Sequence, residues 1–422
     1  MRVLMVSTEY PPMKGGVGRY TSNLTKALLN TDVNEEKKDG QAQKDAIDVS
    51  VICDDSGNGQ FSGIHPRNSQ NSQILLKVVE KIKPDIVHVQ FEPGLYGLEL
   101  GLSGSKRSVT NIDTFYLKCP VPIVTTFHSI YTLRQWMGQT LIVKKSGKTG
   151  NFGIPARAAV RLWKHFINYK AFINLNRQKL LQSRAGIVFS NKMFELLGGG
   201  DIIYHGAEPS LNTSPSKQQC RSYFSLNSLR AGTTTNVNHD SRIALAVGFR
   251  TALKGWDIIE KMSVPDGWII VFNSSKGYYS TENLDLKKNR TRQSRMAESK
   301  IIDLQRGFLT EEDLSRLFYA SDAVLLPYKI SSGSGVMFDA LAHGLPFVAT
   351  DLDFFKEFSN QGLGITVKRN PIEFARGLEL LKENYNHYVE AVNKFRGKLN
   401  WNYVAKEHLK IYNRAGNAKK II

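Results

Sequence analysis

Residues 331–351, SSGSGVMFDALAHGLPFVATD, place a serine- and glycine-rich loop, a helix start and one carboxylate within a short stretch. The apolar run at residues 323–326 predicts a buried strand before it, and Gly344 ends a helix that begins near Ser334. The free N–H groups and the dipole at such a helix start attract a phosphate. Asp339, one turn into the helix, can accept hydrogen bonds from a ribose attached to that phosphate. The alternative is a tight turn with a solvated aspartate.

A pair of cations follows another predicted strand, in the stretch AVGFRTALKGWD at residues 246–257. Arg250 and Lys254 come directly after the strand and before a glycine, so both side chains can lie at the strand's carboxyl end. Guanidinium and ammonium groups in this place would neutralise the charge that builds on a departing nucleoside diphosphate. The alternative is two solvated surface cations.

The first half of the chain has a glycine loop of its own. Residues 7–29, STEYPPMKGGVGRYTSNLTKALL, follow an apolar strand and carry three glycines ahead of apolar residues at helical spacing. A nicotinamide or flavin site would want a further glycine where Thr21 stands, so the loop indicates only a backbone that closely approaches another group. His128 follows the strand-like run at residues 123–126, where the alternative to a functional role is a hydrogen-bonded core histidine.

Strand-like and helical patterns alternate along the chain, which is typical of α/β architecture with parallel sheets. A length of 422 residues exceeds what one hydrophobic core usually supports, so two domains are expected. A polar stretch rich in Ser, Thr and Asn separates them. We therefore predict a first domain at residues 1–208, a linker or surface loop at 209–240 and a second domain from residue 241.

Composition narrows the class of protein. Hydrophobic residues make up 41% and charged residues 22% of the chain, as in globular proteins. No apolar run approaches the roughly 20 residues that span a bilayer, and Glu9 interrupts the N-terminal stretch where a signal peptide would be apolar. The three cysteines have neither metal-ligand nor redox spacing. We expect a cytoplasmic protein with reduced thiols, and we assign no residue to a metal.

Positive charge is concentrated in the first domain. Residues 114–194 contain thirteen Lys and Arg and no Asp or Glu, against a net charge of +18 for the whole chain. Within this segment, ARAAVRLWKHFINYK places Arg157, Arg161 and Lys164 on one helical stripe with Trp163 beside them, which is typical of a helix lying in a membrane interface. The alternative is a helix with a solvated basic face and a buried apolar one. We expect an anionic membrane as partner, with the protein peripheral on the inner face of the cell membrane.

The ordered set of motifs resembles glycosyltransferase family 4. It comprises YPPMKGGVGRY, KPDIVHVQFEP, TTFHS, YHGAEP, GFRTALKG, RGFLTEEDLSRLFYASDAVLLPY and the stretch at residues 331–351, and it covers nearly the whole chain. The resemblance implies the GT-B fold, in which two doubly wound Rossmann-like α/β domains turn their parallel sheets towards a central cleft. The closing WNYVAKEHLKIY is similar to the final helix of that fold, so residues 400–422 are expected to cross back to the first domain and leave 241–399 for the second.

The resemblance also implies a reaction. A nucleotide sugar would donate its sugar, with retention of configuration and without a metal or other cofactor, to an acceptor glycan or lipid-linked acceptor. The residues implied as catalytic are His128, Arg250 and Lys254, and those implied as donor-binding are Gly16, Gly18, Ser331, Ser334, Gly335, Val336 and Asp339. The charge pattern assigns the contact with a membrane or acceptor to Arg157, Arg161, Trp163 and Lys164.

Three positions depart from the pattern of that family, one of which is Asp339, a shorter acid where glutamate is usual. Ser331 stands where an acid usually contacts the donor sugar, and Phe249 stands where arginine usually follows the glycine of the basic motif, with Arg250 one place later. The sugar, the base and the acceptor therefore stay open. A nucleotide-sugar epimerase of the same fold is one alternative function. A basic nucleic-acid-binding protein without catalysis is another, suggested by the net charge of +18, although no nucleic-acid motif is present.

Overall fold

A computed structural model describes residues 1–31, 47–99, 109–142, 154–211, 215–226, 241–276 and 300–417, without the side chains of 138–142 and 154–161. The chain divides into two compact units. Unit 1 comprises Met1–Gly206 together with Trp401–Ile422, and unit 2 comprises Ala207–Asn400.

Unit 1 contains a six-stranded parallel sheet in the order β2-β1-β3-β4-β5-β6. Its strands are β1 (Arg2–Val6), β2 (Asp48–Ile52), β3 (Ile86–Phe91), β4 (Ile123–Phe127), β5 (Ala185–Val188) and β6 (Asp201–Ile202). The helices between them are α1 (Gly16–Leu29), α2 (Asn71–Ile82), α3 (Asp113–Lys118), α4 (Leu133–Ile142), α5 (Ile154–Gln182) and α6 (Asn191–Leu197). The chain leaves β1 towards β2 and returns to the other side of β1 as β3. The gap between β1 and β3 is therefore a topological switch point, where sheets of this class bind ligands.

Unit 2 repeats this plan with a parallel sheet in the order β12-β11-β10-β7-β8-β9. Its strands are β7 (Arg242–Phe249), β8 (Trp268–Ser275), β9 (Ile301–Asp303), β10 (Ala323–Leu326), β11 (Phe347–Thr350) and β12 (Gly364–Val367). Its helices are α7 (Lys217–Tyr223), α8 (Trp256–Ile259), α9 (Glu311–Tyr319), α10 (Gly335–Ala342), α11 (Asp353–Ser359), α12 (Pro371–Glu383) and α13 (Tyr385–Phe395). The switch point of this sheet lies between β7 and β10.

The strands are mostly apolar because both faces of each sheet are covered. Every residue of β3, β4, β10 and β11 is buried. Helix α1 turns its apolar side, with Tyr20, Leu24 and Leu28, towards the core of unit 1. The two parallel six-stranded sheets with flanking helices agree with the predicted fold class.

The predicted linker at residues 209–240 contains helix α7, which is tied to the second sheet. Ser216 and Gln219 form a reciprocal capping box at its start. The buried Asp322 carboxylate accepts hydrogen bonds from Lys217 at 2.5 Å, from Arg221 at 2.7 Å and from the backbone N–H of Ile243 at 2.7 Å. Because these donors satisfy a buried carboxylate, residues 217–223 are an ordered part of unit 2.

The final helix, α14 (Trp401–Asn417), packs on unit 1 through polar groups as well as apolar ones. The buried Tyr412 hydroxyl lies 2.6 Å from Nδ1 of His88 in β3. The buried His408 donates from Nδ1 to the carbonyl of Val404, and its Nε2 lies 3.3 Å from the hydroxyl of Tyr20 in α1. These contacts join the last helix to the first one and to the centre of the sheet.

A buried ion pair fastens the long helix α5 to α3. The Lys179 ammonium, with a side chain only 2% exposed, lies 2.7 Å from Oδ1 of Asp113 and 4.2 Å from the centre of the Tyr116 ring. Burial lowers the pKa of Lys179, and the Asp113 carboxylate opposes that shift. The Asp113 side chain is 30% exposed and keeps contact with water.

Removal of one partner of this pair should cost more than removal of the other. In Asp113→Ala the ammonium stays buried without a counter-charge, and we expect the free energy of unfolding to fall by on the order of 3 kcal/mol. In Lys179→Met the apolar stem is kept and the partly exposed Asp113 carboxylate stays hydrated, so we expect a loss under about 1 kcal/mol. Urea unfolding measures both variants. Equal losses would contradict this account of the pair.

Candidate functional site

The switch point of unit 2 brings the ends of β7 and β10 together. A small pocket at this place, too narrow to admit a water molecule, is bordered by Lys254 from the loop after β7 and by Pro327 and Tyr328 from the loop after β10. Its remaining lining residues are apolar: Ala246, Val247, Trp256, Ile259 and Leu325. The pocket therefore combines one cation with an apolar wall at the carboxyl edge of the sheet.

Lys254 is held in a tight turn. Its backbone N–H bonds to the carbonyl of Thr251, and Gly255 follows with φ of +78°, a conformation that favours glycine. A Cβ on Gly255 would overlap the carbonyl oxygen of Pro327, so the approach of the two loops also requires glycine. The Lys254 ammonium lies 3.7 Å from the centre of the Tyr328 ring. It forms no ion pair with any residue that the structure describes.

Arg250, the second predicted cation, has a different environment. Its guanidinium lies 3.3 Å from Oε1 of Glu260 and 3.3 Å from the Ser274 hydroxyl. Glu260 compensates part of its charge within unit 2, so Lys254 is the better placed of the two cations for an anionic ligand. The preceding Phe249 stacks on Phe308 with ring centres 6.2 Å apart.

Helix α10 begins where the sequence predicted. The Ser334 hydroxyl caps it and accepts from the N–H of Met337 at 3.2 Å. The N–H groups of Gly335 and Val336 have no preceding helical turn to bond to, so this end of the helix can bind an anion. The structure therefore places Ser334, Gly335 and Val336 together at one helix start, and their role at a phosphate stays a prediction.

The two other predicted donor ligands near α10 are largely enclosed. Asp339 is 3% exposed, and Ser331 is 5% exposed with its hydroxyl donating to the carbonyl of Gly333 at 2.8 Å. The roles of Asp339 at a ribose and of Ser331 at a sugar stay predictions.

In unit 1 the glycine loop surrounds a carboxylate of the chain itself. Glu9 follows β1, is 9% exposed, and accepts hydrogen bonds from the backbone N–H groups of Gly18 and Val17. A Cβ on Gly15 would overlap this carboxylate. Of the two glycines predicted to bind the donor, Gly18 therefore donates its N–H to Glu9, while the space beside Gly16 is open. The donor-binding role of Gly16 and Gly18 stays a prediction.

A second acid lies across the switch point of unit 1. Glu92 is the first residue after β3, and burial raises its pKa to about 7, although hydrogen bonds from the Ser129 side chain and the Gly94 backbone act in the opposite direction. The Glu9 charge contributes to this upward shift of the pKa. Glu92 was not among the residues predicted from the sequence. The signal available was an acid directly after the mostly apolar run IVHVQF.

His128, the predicted catalytic histidine, lies at the carboxyl edge of the same sheet. Its Nε2 donates to Oε1 of Gln90 at 2.9 Å, so Nδ1 is the unprotonated nitrogen. Its ring packs against Tyr20 and Phe189 with centres 5.2 Å and 5.3 Å apart. Burial, together with the neighbouring His205, lowers the pKa of His128 to about 3, so the imidazole is neutral near pH 7.

The aromatic cluster around His128 was not predicted from the sequence. Tyr20 contacts His205 at 4.9 Å and Trp401 at 5.5 Å between ring centres. A Cβ on Gly206 would overlap the Trp401 ring, which explains the glycine after His205. The cluster therefore joins α1, α14 and the loop after β6 around the edge of the sheet.

The residues predicted to meet a membrane lie on α5. Trp163 is 63% exposed and Leu162 is 52% exposed, and Lys164 beside them is exposed. Helix α5 includes Arg157 and Arg161, but their side chains lie outside the described residues. Among the other large apolar side chains of unit 1 that the structure describes, Leu181 at 84% and Leu117 at 72% are the most exposed. In the described part of the chain, no helix is long and apolar enough to cross a membrane.

No group of three or more His, Cys, Asp or Glu side chains is arranged to hold a metal ion within the ranges that the structure describes.

The chain is similar to known proteins in part of its second unit and in its whole fold. Residues 288–384 match the family model described as "Glycosyl transferases group 1". No curated protein matches the chain in sequence.

Solved structures resemble the chain over almost its full length. HepE of Anabaena, solved in complex with UDP and glucose, is 14% identical with a TM-score of 0.62, and 98% of this chain and 99% of that one are covered. Sucrose-phosphate synthase of Thermosynechococcus elongatus is 13% identical with a TM-score of 0.61, and 98% of each chain is covered. WaaG, a glycosyltransferase involved in lipopolysaccharide biosynthesis, is 13% identical with a TM-score of 0.55, covering 97% of this chain and 99% of that one. These likenesses confirm the GT-B fold.

The raised pKa of Glu92 predicts a pH dependence of stability. Its folded-state pKa of about 7 lies above the ordinary value of 4.5, so the folded protein binds a proton that the unfolded chain releases between these values. The stability that this group contributes is complete below pH 4.5 and is lost as the pH rises through 7. Glu92→Gln, an isostere of the protonated acid, should reduce this decline and unfold less readily than wild type at pH 8.

Urea unfolding at a series of pH values measures the effect, with Glu80→Gln on the exposed side of α2 as the matched control. If Glu92→Gln followed the same pH profile as wild type, the raised pKa would be refuted.

Proposed function

We propose that this protein is a glycosyltransferase that moves a sugar from a nucleoside-diphosphate sugar to an acceptor. The observation that carries the proposal is the switch point of unit 2. There, an ammonium without an ion pair among the described residues, Lys254, belongs to the same carboxyl edge as the capped start of α10. A diphosphate is the ligand whose charge suits both groups. The match of residues 288–384 to group 1 glycosyl transferases supports this choice.

In the proposed reaction, unit 2 binds the donor. The N–H groups of Gly335 and Val336 bind phosphate oxygens, and Asp339 accepts from the ribose. Lys254, assisted by Arg250, stabilises the negative charge that develops on the nucleoside diphosphate as the bond to the sugar breaks. The reaction retains configuration, and the departing phosphate takes the proton of the acceptor hydroxyl.

Unit 1 serves the acceptor in this proposal. The neutral His128 offers an unprotonated nitrogen that can accept a hydrogen bond without adding charge near the transferred sugar. The base of the donor stays open. HepE was solved with UDP and glucose, which favours UDP-sugars as the first donors to assay.

The acceptor, in our proposal, is lipid-linked or lies on a membrane surface. The exposed Trp163, Leu162 and Lys164 on α5 are apolar and basic together, as in helices that lie in a membrane interface. The resemblance to WaaG, which is involved in lipopolysaccharide biosynthesis, is consistent with such an acceptor. The enzyme would then bind the cytoplasmic face of the membrane peripherally and reversibly.

The donor site can be tested by binding alone. We expect calorimetry to show that at least one of UDP, ADP and GDP binds without added metal. Lys254→Ala should weaken that binding by about 1.5 to 3 kcal/mol, because it removes a charge-assisted hydrogen bond to phosphate. Lys261→Ala, an exposed lysine on the same unit, is the control and should bind like wild type. Equal affinities of Lys254→Ala and wild type would exclude Lys254 from the site.

Membrane association can be tested by cosedimentation with vesicles. We expect binding to vesicles that contain anionic lipid and little binding to neutral ones, because each basic residue near an anionic surface contributes about 1 kcal/mol. Changing Arg157, Arg161 and Lys164 together to Glu should abolish the binding. Lys77→Glu on α2 reverses one exposed charge elsewhere in unit 1, and this variant should keep most of the vesicle binding. Binding that ignores lipid charge, or survives the triple change, would indicate an acceptor in solution.

A further inference from the structure

A buried aromatic ring lies under the lysine of the proposed donor site. Tyr328, two residues after β10, is 3% exposed, and its ring makes an edge-to-face contact with Phe355 at 5.6 Å. The Lys254 ammonium lies 3.7 Å from the centre of that ring, well within the range of a cation–π interaction. The tyrosine is thus fixed on one side by the core of unit 2 and contacts the cation on the other.

The loops that carry the two residues are clamped to each other. The backbone N–H of Lys329 donates to the carbonyl of Leu253 at 2.8 Å, one residue away from the lysine and the tyrosine. Arg369 donates to the carbonyl of Pro327 at 3.0 Å and pairs with Asp257 at 2.7 Å. The ring therefore has a fixed position relative to the backbone of Lys254.

An aromatic face suits this place better than a carboxylate would. It attracts the ammonium through the ring quadrupole but carries no formal charge, so the lysine keeps its full positive charge for a ligand. Arg250 shows the contrast, since Glu260 compensates its charge at 3.3 Å. A flexible lysine held on a ring also loses less rotamer entropy when it binds an anion.

The hydroxyl of Tyr328 does not take part in this contact. It is buried and has no hydrogen-bond partner among the described residues. Replacing tyrosine by phenylalanine therefore keeps the ring and removes a polar group that gains nothing from burial.

We propose that Tyr328 is a positioning residue that seats the Lys254 ammonium for a diphosphate group, acting through the face of its ring. This inference rests on the proposed function, because it gives the seated lysine a nucleoside diphosphate to bind. The ring holds the ammonium both before and after the ligand arrives.

The first test compares Tyr328→Leu with Tyr328→Phe by calorimetry. The ligands are whichever of UDP, ADP and GDP binds wild type most tightly, and its monophosphate. We expect Tyr328→Leu to raise the Kd of the diphosphate by about five- to tenfold and to reduce the ratio between the Kd of the monophosphate and that of the diphosphate. Tyr328→Phe should bind both nucleotides like wild type. If Tyr328→Leu fails to fold, Tyr328→Met takes its place. Wild-type or tighter diphosphate binding by the Leu or Met variant, or an equal loss in Tyr328→Phe, would overturn the proposal.

The second test needs no ligand. Lysines are labelled by reductive methylation with ¹³C, which keeps their charge, and the Lys254 signal is identified by its absence in Lys254→Arg. Methyl groups above a ring face are shifted upfield, so we expect this signal upfield in wild type and Tyr328→Phe, and at an ordinary position in Tyr328→Leu or Tyr328→Met.

A Lys254 methyl signal at an ordinary chemical shift in wild type would refute the contact between the ammonium and the Tyr328 ring, even if nucleotides bind. If none of the three diphosphates binds wild type, the proposed function fails, and an upfield signal would still establish the contact between ring and lysine. The two failures are therefore distinguishable.

Discussion

Parallel pairing of the strands is the constraint on which the rest of the molecule depends. Because all strands of a sheet run the same way, the residue that follows each strand emerges at one edge. In unit 2 this brings Lys254 after β7 and Tyr328 after β10 to the same switch point, although they are far apart in sequence. In unit 1 it brings Glu9 and Glu92 to the equivalent edge. The candidate site residues of each unit are brought together by this geometry.

Both units have a glycine-containing loop followed by a helix start, but the charged groups near the two helix starts are opposite in sign: Glu9 in unit 1 and Lys254 in unit 2. In unit 2, Ser334 caps α10 and leaves the first N–H groups without an acceptor in their own helix. In unit 1 the N–H groups of Val17 and Gly18, in the first turn of α1, are bonded to the carboxylate of Glu9. Unit 2 is therefore better suited than unit 1 to bind an anionic ligand. Unit 1 has acids and a neutral histidine at the carboxyl edge of its sheet. This division agrees with a donor bound through phosphate in one unit and a hydroxyl acceptor in the other.

Buried polar groups at these edges are stabilised by partners distant in the chain. His128 is oriented by Gln90 on the neighbouring strand, and Tyr20 links it through aromatic contacts to Trp401 at the start of the final helix. The last helix therefore belongs to the setting of the candidate acceptor residues as well as to the core of unit 1. Such a network restricts which side chains the edge can tolerate.

The sequence by itself determined what depends on local patterns. Apolar runs and helical spacing predicted the alternating strands and helices and the two parallel sheets, and the helix that Gly344 ends was predicted to begin near Ser334, where α10 starts. Capping and periodicity act between residues a few positions apart, so they can be read without a structure. The GT-B fold itself came from the resemblance carried by the ordered motifs and was confirmed by the structural comparisons.

Only the tertiary structure decided which neighbours the functional side chains have. No local pattern predicts the contact of Lys254 with Tyr328 or the pairing of Arg250 with Glu260. The position of Glu9 inside the glycine loop could not be predicted in that way either. The same holds for the pKa of Glu92, which follows from burial beside Ser129 and Glu9. The physical reason is that charge compensation and desolvation depend on the contents of the surrounding few ångströms, and the fold fills that space from separate parts of the chain.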